Sequence, residues 1–273
     1  MKKNLFVVPI AGLCNRMRVV ASAAELSRRY HKRLIILWIR NQKMNIRFSD
    51  LFEPIPHRVL EFSNEQSLSY KLCYHFIKLL RPVFMISDKD FDNKYQTNPE
   101  YFDRLEGRHG FLYTYHNVTG TNDYSMFRIN KRLTPLLFPE ASLHDVVGIH
   151  IRRTDNTLSI DISPTSLFIE KMEEEIRINP AVRFYLATDS PEEESLLKEK
   201  YGDRILTYQK RSLDRGSKAG MEDAIVDLAN LSHCKRIYGS FWSSYSYVAA
   251  QWGGISYTTI MNEEKVSTLF SRK

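Results

Sequence analysis

The sequence has 273 residues, a formal net charge of +7, a pI of about 9.2 and 43% hydrophobic residues. This length allows one large domain or two of ordinary size. The composition, without a Gly/Ser tract, an acidic tail or a fixed-period repeat, excludes a largely disordered or repeat protein. The positive charge attracts polyanions, whether nucleic acid, an anionic membrane surface or a diphosphate substrate, and does not choose among them.

Cysteine usage and apolar runs bear on the compartment. Cys14, Cys73 and Cys234 lie far apart and form no CxxC pair. This sparse, odd number fits a reducing compartment, and we expect all three to be buried without a chemical role. Pro9 interrupts the apolar run 5–10, which favours a first strand over a signal peptide. No stretch reaches the roughly 18 apolar residues of a membrane span, so the sequence predicts a soluble, cytoplasmic protein.

In chain order, the first elements form a βαβ unit. The pattern predicts a buried strand over 5–10, a tight turn from Gly12 to Asn15, a helix over 16–30 and a second buried strand over 33–38. The middle region, 45–140, is rich in proline and aromatic residues and permits one prediction, a helix over 67–80.

The second half alternates strands and helices more clearly. Strands are predicted over 146–151, 182–187 and 236–238, with helices over 166–176, 191–201, 221–232 and 245–252. Such alternation implies a parallel, doubly wound sheet. With a boundary near 138–145, the two halves suggest two Rossmann-like domains of the α/β class that face each other across a cleft.

The carboxyl ends of the strands are where open α/β sheets bind ligands. The strand at 146–151 places His150 and Arg152 on one face, and Arg153 follows directly. Burying an unpaired arginine is costly, so both arginines need anionic partners. The partner is either a ligand or a carboxylate such as Asp155, and the pattern leaves both alternatives open.

The next strand end offers a further carboxylate. Ser190 is expected to cap the following helix, with Pro191 at its first position and Glu193 completing a capping box. Asp189 takes no part in this cap. We therefore predict that Asp189 is free to meet a ligand hydroxyl or a base edge.

Hydroxyl residues surround the third strand end. Ser240, Ser243 and Ser244 lie where a helix begins, and the free N–H groups and dipole of a helix N-terminus favour phosphate. Upstream, Asp223 and Asp227 stand one helical turn apart. Such a pair is either a solvated helix face or part of a ligand site.

Together these residues resemble a known family. The sequence Gly-Ile-His-Ile-Arg-Arg-Thr-Asp at 148–155 is similar to the first peptide motif of the α1,6-fucosyltransferases, the nodulation fucosyltransferases and the protein O-fucosyltransferases. The similarity continues in order and spacing at 185–191, 225–232 and 240–244. The turn Gly-Leu-Cys-Asn-Arg at 12–16 resembles the opening turn of the bacterial α1,2-fucosyltransferases. The middle region takes no part in the resemblance.

The resemblance implies a GT-B-like fold, with an acceptor-side domain over 1–140 and a donor-binding domain over 141–273. It implies an inverting transfer of fucose from GDP-fucose to a glycan hydroxyl, with no required cofactor and no metal. The expected partners are a GDP-sugar donor and an oligosaccharide or lipid-linked glycan acceptor. A transient contact with a membrane surface is compatible with this set, and nucleic acid is not expected.

The resemblance also assigns roles by position. One or both of Arg152 and Arg153 would bind the β-phosphate, and His150 and Asp227 would hold the guanosine. Ser243 or its neighbours would contact the pyrophosphate. Without a divalent ion, cationic side chains and helix N–H groups must stabilise the leaving diphosphate. The candidate donor-binding residues are His150, Asp189, Asp227, Ser240, Ser243, Ser244, Gly12 and Asn15.

The sequence departs from the family pattern after the first motif. Asn156 stands where a lysine is common, so one positive charge near the diphosphate is missing. The segment that follows lacks the usual glutamate base, and Asp161 is the nearest carboxylate. We predict Asp161 as the base, with Asp155 or a first-half residue such as Asp50 or Glu53 as alternatives.

Other functions remain open. One is a GT-B transferase that uses GDP-mannose or another nucleotide sugar, and another is an inactive sugar-nucleotide-binding protein. A basic RNA-binding protein is the third, although the lysines and arginines are scattered and no nucleic-acid motif is present. Asp88, Asp90 and Asp92 form two Asp-x-Asp sequences that follow no clear buried strand, so we expect surface or turn residues and no metal site.

Overall fold

A computed structural model describes residues 2–42, 44–80, 83–87 and 99–271. The chain divides into two compact units. Unit 1 consists of Met1–Lys131 and Asp214–Glu222, and unit 2 of Arg132–Leu213 and Asp223–Lys273. The Asp-x-Asp residues Asp88, Asp90 and Asp92 lie outside the described residues.

Unit 1 contains a parallel sheet that has five strands in the described residues. The strands are β1 (Asn4–Pro9), β2 (Arg33–Ile39), β3 (Arg58–Phe62), β4 (Val83–Ser87) and β5 (His109–Thr114), in the order β3-β2-β1-β5-β4. Its helices include α1 (Leu13–Arg29), α2 (Phe48–Leu51) and α3 (Leu68–Leu79). The predicted first βαβ unit and the helix over 67–80 are confirmed, but α1 begins at Leu13 and not at residue 16, so Gly12 is its N-cap.

The core of unit 1 explains why these segments take these forms. β1 and β2 are nearly continuous apolar runs, as expected for parallel strands covered on both faces. Phe6 and Val8 of β1 pack with Phe62 of β3 and with Tyr70 and Ile77 of α3. Burial of each such side chain contributes about 1.5–3 kcal/mol.

Unit 2 repeats the arrangement with a second five-stranded parallel sheet among the described residues. Its strands are β6 (Val147–Ile151), β7 (Phe184–Thr188), β8 (Ile205–Leu206), β9 (Arg236–Ser240) and β10 (Ser256–Ile260), in the order β10-β9-β6-β7-β8. The helices include α4 (Thr157–Ile162), α5 (Thr165–Ile178), α6 (Pro191–Tyr201), α7 (Lys218–Ser232, of which residues 223–232 belong to unit 2), α8 (Ser244–Gly253) and α9 (Glu263–Ser271). The predicted α/β class with two doubly wound sheets is confirmed, and chain order reverses between β6 and β9.

Strand β6 is buried on both faces. Val147 and Ile149 enter a core with Phe168 and Met172 of α5. On the other face, a Cβ added at Gly148 would lie 2.8 Å from a methyl carbon of Leu231 on α7. The small residue therefore lets α7 pack closely on the strand.

A second close approach joins two helices of unit 2. A Cβ added at Gly253, at the end of α8, would lie 1.9 Å from the backbone oxygen of Ser232 at the end of α7. The packing of these helix ends requires glycine at this position.

Two of the three cysteines are buried as predicted. These are Cys14 and Cys234, whereas Cys73 is only half-buried. Burial raises the pKa of both the Cys73 and the Cys234 thiols. Across the described ranges, no helix has the length and apolar character needed to cross a bilayer.

Candidate functional site

The carboxyl ends of β6 and β9 meet at the point where chain order reverses, the usual ligand position in a doubly wound sheet. The Arg152 backbone N–H donates to Ser240 Oγ at 3.1 Å, and that hydroxyl donates to the His150 carbonyl at 3.3 Å. Ser240 is fully buried. Its hydroxyl therefore fixes the backbone from which the Arg152 side chain leaves the sheet.

The two adjacent arginines are held differently. Every guanidinium nitrogen of Arg153 is occupied: Nε donates to Glu193 Oε1 at 2.6 Å, Nη1 to the Arg152 carbonyl at 2.9 Å and Nη2 to Thr165 Oγ1 at 2.9 Å. Its side chain is 11% exposed. Arg153 thus ties β6 to α5 and α6, and its geometry is that of a structural residue.

Arg152 keeps part of its guanidinium available. Nε and Nη2 donate to Asp155 Oδ1, with Nε at 2.8 Å, while Nη1 has no hydrogen-bond partner among the described residues. The side chain is 20% exposed. Asp155 is therefore the carboxylate partner that the sequence left open for Arg152, and it orients the guanidinium. The Nη1 edge of the guanidinium is left for an anion.

Asp189 differs from the prediction of a free carboxylate. Oδ1 accepts from the Arg153 backbone N–H at 2.7 Å, and Oδ2 accepts from Thr154 Oγ1 at 2.7 Å. Asp189 is therefore not a free carboxylate, because the loop after β6 folds back onto the end of β7, and its contact with a donor stays a prediction. Asp189 shapes this loop.

The capping box is half-formed, since Ser190 Oγ accepts from the Glu193 N–H but the Glu193 carboxylate turns to Arg153.

His150 lies on β6 under the first turns of α8. Its ring stacks on Tyr245, with centroids 4.9 Å apart, and its Nδ1 is buried without a partner among the described residues. Burial lowers the pKa of His150 to about 3, and the cations Arg152 and Lys210 add to this effect while Asp189 opposes it. The ring is therefore neutral at physiological pH and presents an unused polar atom.

Asp223 and Asp227 are both buried, which excludes the solvated-face alternative. Asp227 accepts from Tyr185 Oη at 2.6 Å and pairs with Lys210 Nζ at 3.1 Å. Burial raises the pKa of Asp227, and Lys210 opposes that shift. Asp223 instead accepts from the backbone and Nε of Arg211, so it anchors the loop that carries Lys210.

Lys210 has no signal in the sequence, because its partner Asp227 comes close only through the tertiary fold. A cavity of about 410 Å³ lies beside Lys210. Its polar lining includes Thr188, Ser190, Thr207 and Gln209. This space lies within unit 2, at the ends of β7 and β8.

The segment after β9 holds a strained, exposed aromatic residue. Trp242 has φ of 53° and is 65% exposed; this left-handed conformation is rare for a bulky residue. Its carbonyl accepts from Asn156 Nδ2 at 3.3 Å, while Asn156 Oδ1 caps α4 by accepting from the Ser159 N–H at 3.0 Å. Ser243 caps α8 and Ser244 is its first residue.

The candidate bases are all engaged. Asp161, on α4, is 61% exposed and pairs with Lys265 of α9. Burial raises the pKa of Asp50, but hydrogen bonds from Arg47 and Lys218 outweigh burial and lower it to about 2. Such a carboxylate is a weak base. Glu53 Oε1 accepts from the Lys131 N–H at 3.0 Å.

In unit 1, the turn at 12–16 holds a buried arginine. Arg16 donates from Nε to the Ala11 carbonyl at 2.9 Å and from Nη1 to the Ile39 carbonyl at 2.6 Å, and it lies over the Trp38 ring. Burial lowers the pKa of Arg16 to about 10. Gly12 has an ordinary extended backbone, so the left-handed residue of this turn is Ala11, at φ of 65°.

Asn15 lies in the same turn and is half-buried. Its Oδ1 accepts a long hydrogen bond, 3.5 Å, from Arg18 Nη1.

In the part of the chain that the structure describes, no group of three or more His, Cys, Asp or Glu side chains is placed to bind a metal ion.

Comparison with known proteins identifies the fold. No protein-family model matches the sequence, and no curated protein matches it. Among solved structures, the NodZ α-1,6-fucosyltransferase of Bradyrhizobium, soaked with GDP-fucose, is similar over 92% of this chain and 93% of its own, with a TM-score of 0.61 and 18% identity. The chain has the fold of a fucosyltransferase.

Two further solved structures have a similar fold. A mutant of Arabidopsis thaliana FUT1 in complex with GDP matches 95% of this chain and 70% of its own, at a TM-score of 0.61 and 13% identity. POFUT1 in complex with GDP matches 95% and 99%, at a TM-score of 0.58 and 11% identity. The GT-B-like fold implied by the sequence motifs is thereby confirmed.

Proposed function

We propose that this chain is an inverting, metal-independent fucosyltransferase that moves fucose from GDP-fucose to a hydroxyl of a glycan. The observation that carries the proposal is the open edge of the Arg152 guanidinium at the chain reversal of unit 2. This edge occurs in a fold shared with fucosyltransferases crystallised with GDP or GDP-fucose. The proposed acceptor is an oligosaccharide or a lipid-linked glycan, and the proposed location is the cytoplasm.

Arg152 is oriented before the donor arrives. Ser240 holds its backbone and Asp155 holds two guanidinium nitrogens. When the bond between fucose and phosphate breaks, negative charge develops on the β-phosphate oxygens, and Nη1 donates to one of them. A donor that needs no reorganisation at this moment stabilises the transition state more than the ground state. The N-terminus of α8 at Ser243 and Ser244 adds backbone N–H groups.

The guanosine lies, in this proposal, beside His150 and Asp227. Each oxygen of Asp227 already has one partner, but a carboxylate has about four acceptor positions. A guanine N–H can therefore join Tyr185 and Lys210 on the same carboxylate. The cavity beside Lys210 supplies space within 141–273, which we propose as the donor-binding domain, with 1–140 on the acceptor side.

A donor-hydrolysis screen tests the function. Release of the nucleoside diphosphate, GDP or UDP, is measured with GDP-fucose, GDP-mannose and several UDP-sugars, with and without an oligosaccharide acceptor, and Arg152→Ala serves as the inactive control. We expect turnover with GDP-fucose and with none of the other donors. Turnover with GDP-mannose or a UDP-sugar would assign another glycosyltransferase activity. GDP binding by calorimetry without any turnover would assign the inactive binding protein, which Asn156 in place of lysine favours.

A further inference from the structure

Helix α3 of unit 1 has two apolar faces, of which only one is used by the fold. Tyr70 and Ile77 are buried against the sheet. Ser67 caps the helix by accepting from the Tyr70 N–H at 3.4 Å. These contacts fix the rotation of the helix, and therefore fix which residues point away from the sheet.

The outward face carries four large apolar side chains. Leu68 is 72% exposed, Leu72 61%, Phe76 60% and Leu79 66%. Because successive residues turn by about 100°, spacings of four, four and three place these side chains in one stripe. We call it the α3 stripe. Isolated exposed hydrophobic residues are ordinary, but a contiguous row marks an interaction surface.

Positive charge borders the α3 stripe. Lys71, His75 and Lys78 are exposed along one flank of the helix, and α3 contains no aspartate or glutamate. Lys78 Nζ lies 4.5 Å from the centre of the Tyr74 ring, so the apolar part of its side chain follows the helix surface. The whole chain carries a formal charge of +7.

We propose that the α3 stripe docks on the surface of an anionic phospholipid bilayer. The leucines and Phe76 enter the boundary between headgroups and acyl chains, and the two lysines meet anionic headgroups. An α-helix of this size is about 18 Å long and lies in the plane of the interface.

Charge complementarity favours a bilayer over a second copy of the chain. A two-fold dimer through the α3 stripe would bring Lys71 and Lys78 of one copy towards the same residues of the other, without an acid on the helix to compensate. Anionic lipids neutralise these cations. The docking does not depend on the identity of the sugar donor.

Vesicle sedimentation with the full chain tests the proposal. Wild type should bind vesicles of phosphatidylcholine and phosphatidylglycerol more tightly than phosphatidylcholine alone. The double variant Leu72→Glu/Phe76→Glu should partition at least about tenfold more weakly, because two apolar anchors are lost and two anions added. Leu196→Glu, at a leucine of α6 that is 45% exposed, is the matched control and should bind like wild type.

A second pair of variants separates charge from apolar contact. Lys71→Ala/Lys78→Ala should weaken binding to the anionic vesicles by about thirtyfold, and the exposed Lys131→Ala should not. All these positions are exposed, so circular dichroism melts should be unchanged. Wild type that does not sediment with anionic vesicles would overturn the proposal. So would a dimer, measured by sedimentation velocity, that Leu72→Glu/Phe76→Glu dissociates.

Discussion

At the residue scale, Arg152 and Arg153 should respond differently to the same substitution. Arg152→Ala removes the open guanidinium edge and should lower turnover by about 10²-fold or more, with little change in melting temperature. Arg152→Lys should rescue poorly, because an ammonium cannot reproduce the fork. GDP release and circular dichroism melts on the same samples provide the measurement.

Arg153→Ala is the matched control. It leaves the partly buried Glu193 carboxylate without its cation, so the free energy of unfolding should fall by about 1–3 kcal/mol. A normal specific activity in Arg152→Ala, combined with a large loss of melting temperature, would reverse the two roles.

His150 should make the stability of the protein sensitive to acid. Its pKa is about 3 in the folded protein and about 6.5 in an unfolded chain. Above pH 6.5 the ring is neutral in both states, and the stability is fully present. As the pH falls from about 6.5 towards 3, only the unfolded state takes up the proton, so stability declines by about 1.4 kcal/mol per pH unit.

His150→Gln removes this titration. Urea unfolding of wild type and variant, measured between about pH 7 and about pH 5, should give a difference in free energy that shrinks as the pH falls. A difference that stays constant across this range would mean that His150 accepts its proton in the folded state.

Asp161, although paired with Lys265, stays our prediction for the base that takes the acceptor proton. Asp161→Asn preserves size and removes basicity, so transfer should be lost while GDP affinity, measured by calorimetry, is unchanged. Lys265→Gln removes the partner of Asp161 without touching the carboxylate and should retain transfer. Activity of Asp161→Asn within a few-fold of wild type would remove Asp161 from the mechanism.

At the element scale, Asn156 joins two segments that the sequence presents as separate. Asn156→Ser keeps an oxygen that caps α4 but loses the amide Nδ2–H group that donates to the Trp242 carbonyl. We expect an unchanged melting temperature and a several-fold loss of turnover, because the left-handed Trp242 turn beside Arg152 is less firmly held. Asn156→Ala loses the cap as well and should cost about 1 kcal/mol of stability. Full turnover in Asn156→Ser would separate the Trp242 turn from catalysis.

The elements that could be predicted are those with strong local signals. β1, β2, β6 and β7 are apolar runs, and α6 begins with the Ser190–Pro191 cap. The strands β3 and β10 were missed because both lie at sheet edges, where one side of the strand meets solvent. Tyr257 and Thr259 of β10 are half-buried between exposed residues, a pattern that also fits a loop.

The site residues show the same limit. Arg152 stands out because two adjacent arginines follow a buried strand. The sequence could not say which arginine is available, since the partners of Arg153 come from Thr165 and Glu193 on two later helices. For the same reason Asp189 reads as free in the sequence and is engaged in the structure.

At the scale of the whole molecule, turnover should not require a divalent ion. The expectation follows from the roles proposed above for Arg152 and the α8 N-terminus, which would supply the positive potential that a metal provides in other transferases. Turnover in EDTA should equal turnover in Mg²⁺ or Mn²⁺, with an EDTA-sensitive enzyme assayed in parallel. Loss of turnover in EDTA, with recovery of turnover in Mn²⁺, would contradict the prediction and make Asp88, Asp90 and Asp92 candidate metal ligands.

Gly253 limits the sequences into which this chain can diverge. The atom that a Cβ would strike is a backbone oxygen of Ser232, which no change of rotamer can move away. Genetic drift can exchange the solvent-facing side chains of α6 freely, whereas position 253 admits alanine only if α7 and α8 separate. Helix α7 carries Asp227, and Ser243 caps the N-terminus of α8. A lineage that lost this glycine would have to rebuild both helix ends. Glycine at position 253 should therefore persist among descendants of this chain longer than the residues on the surface.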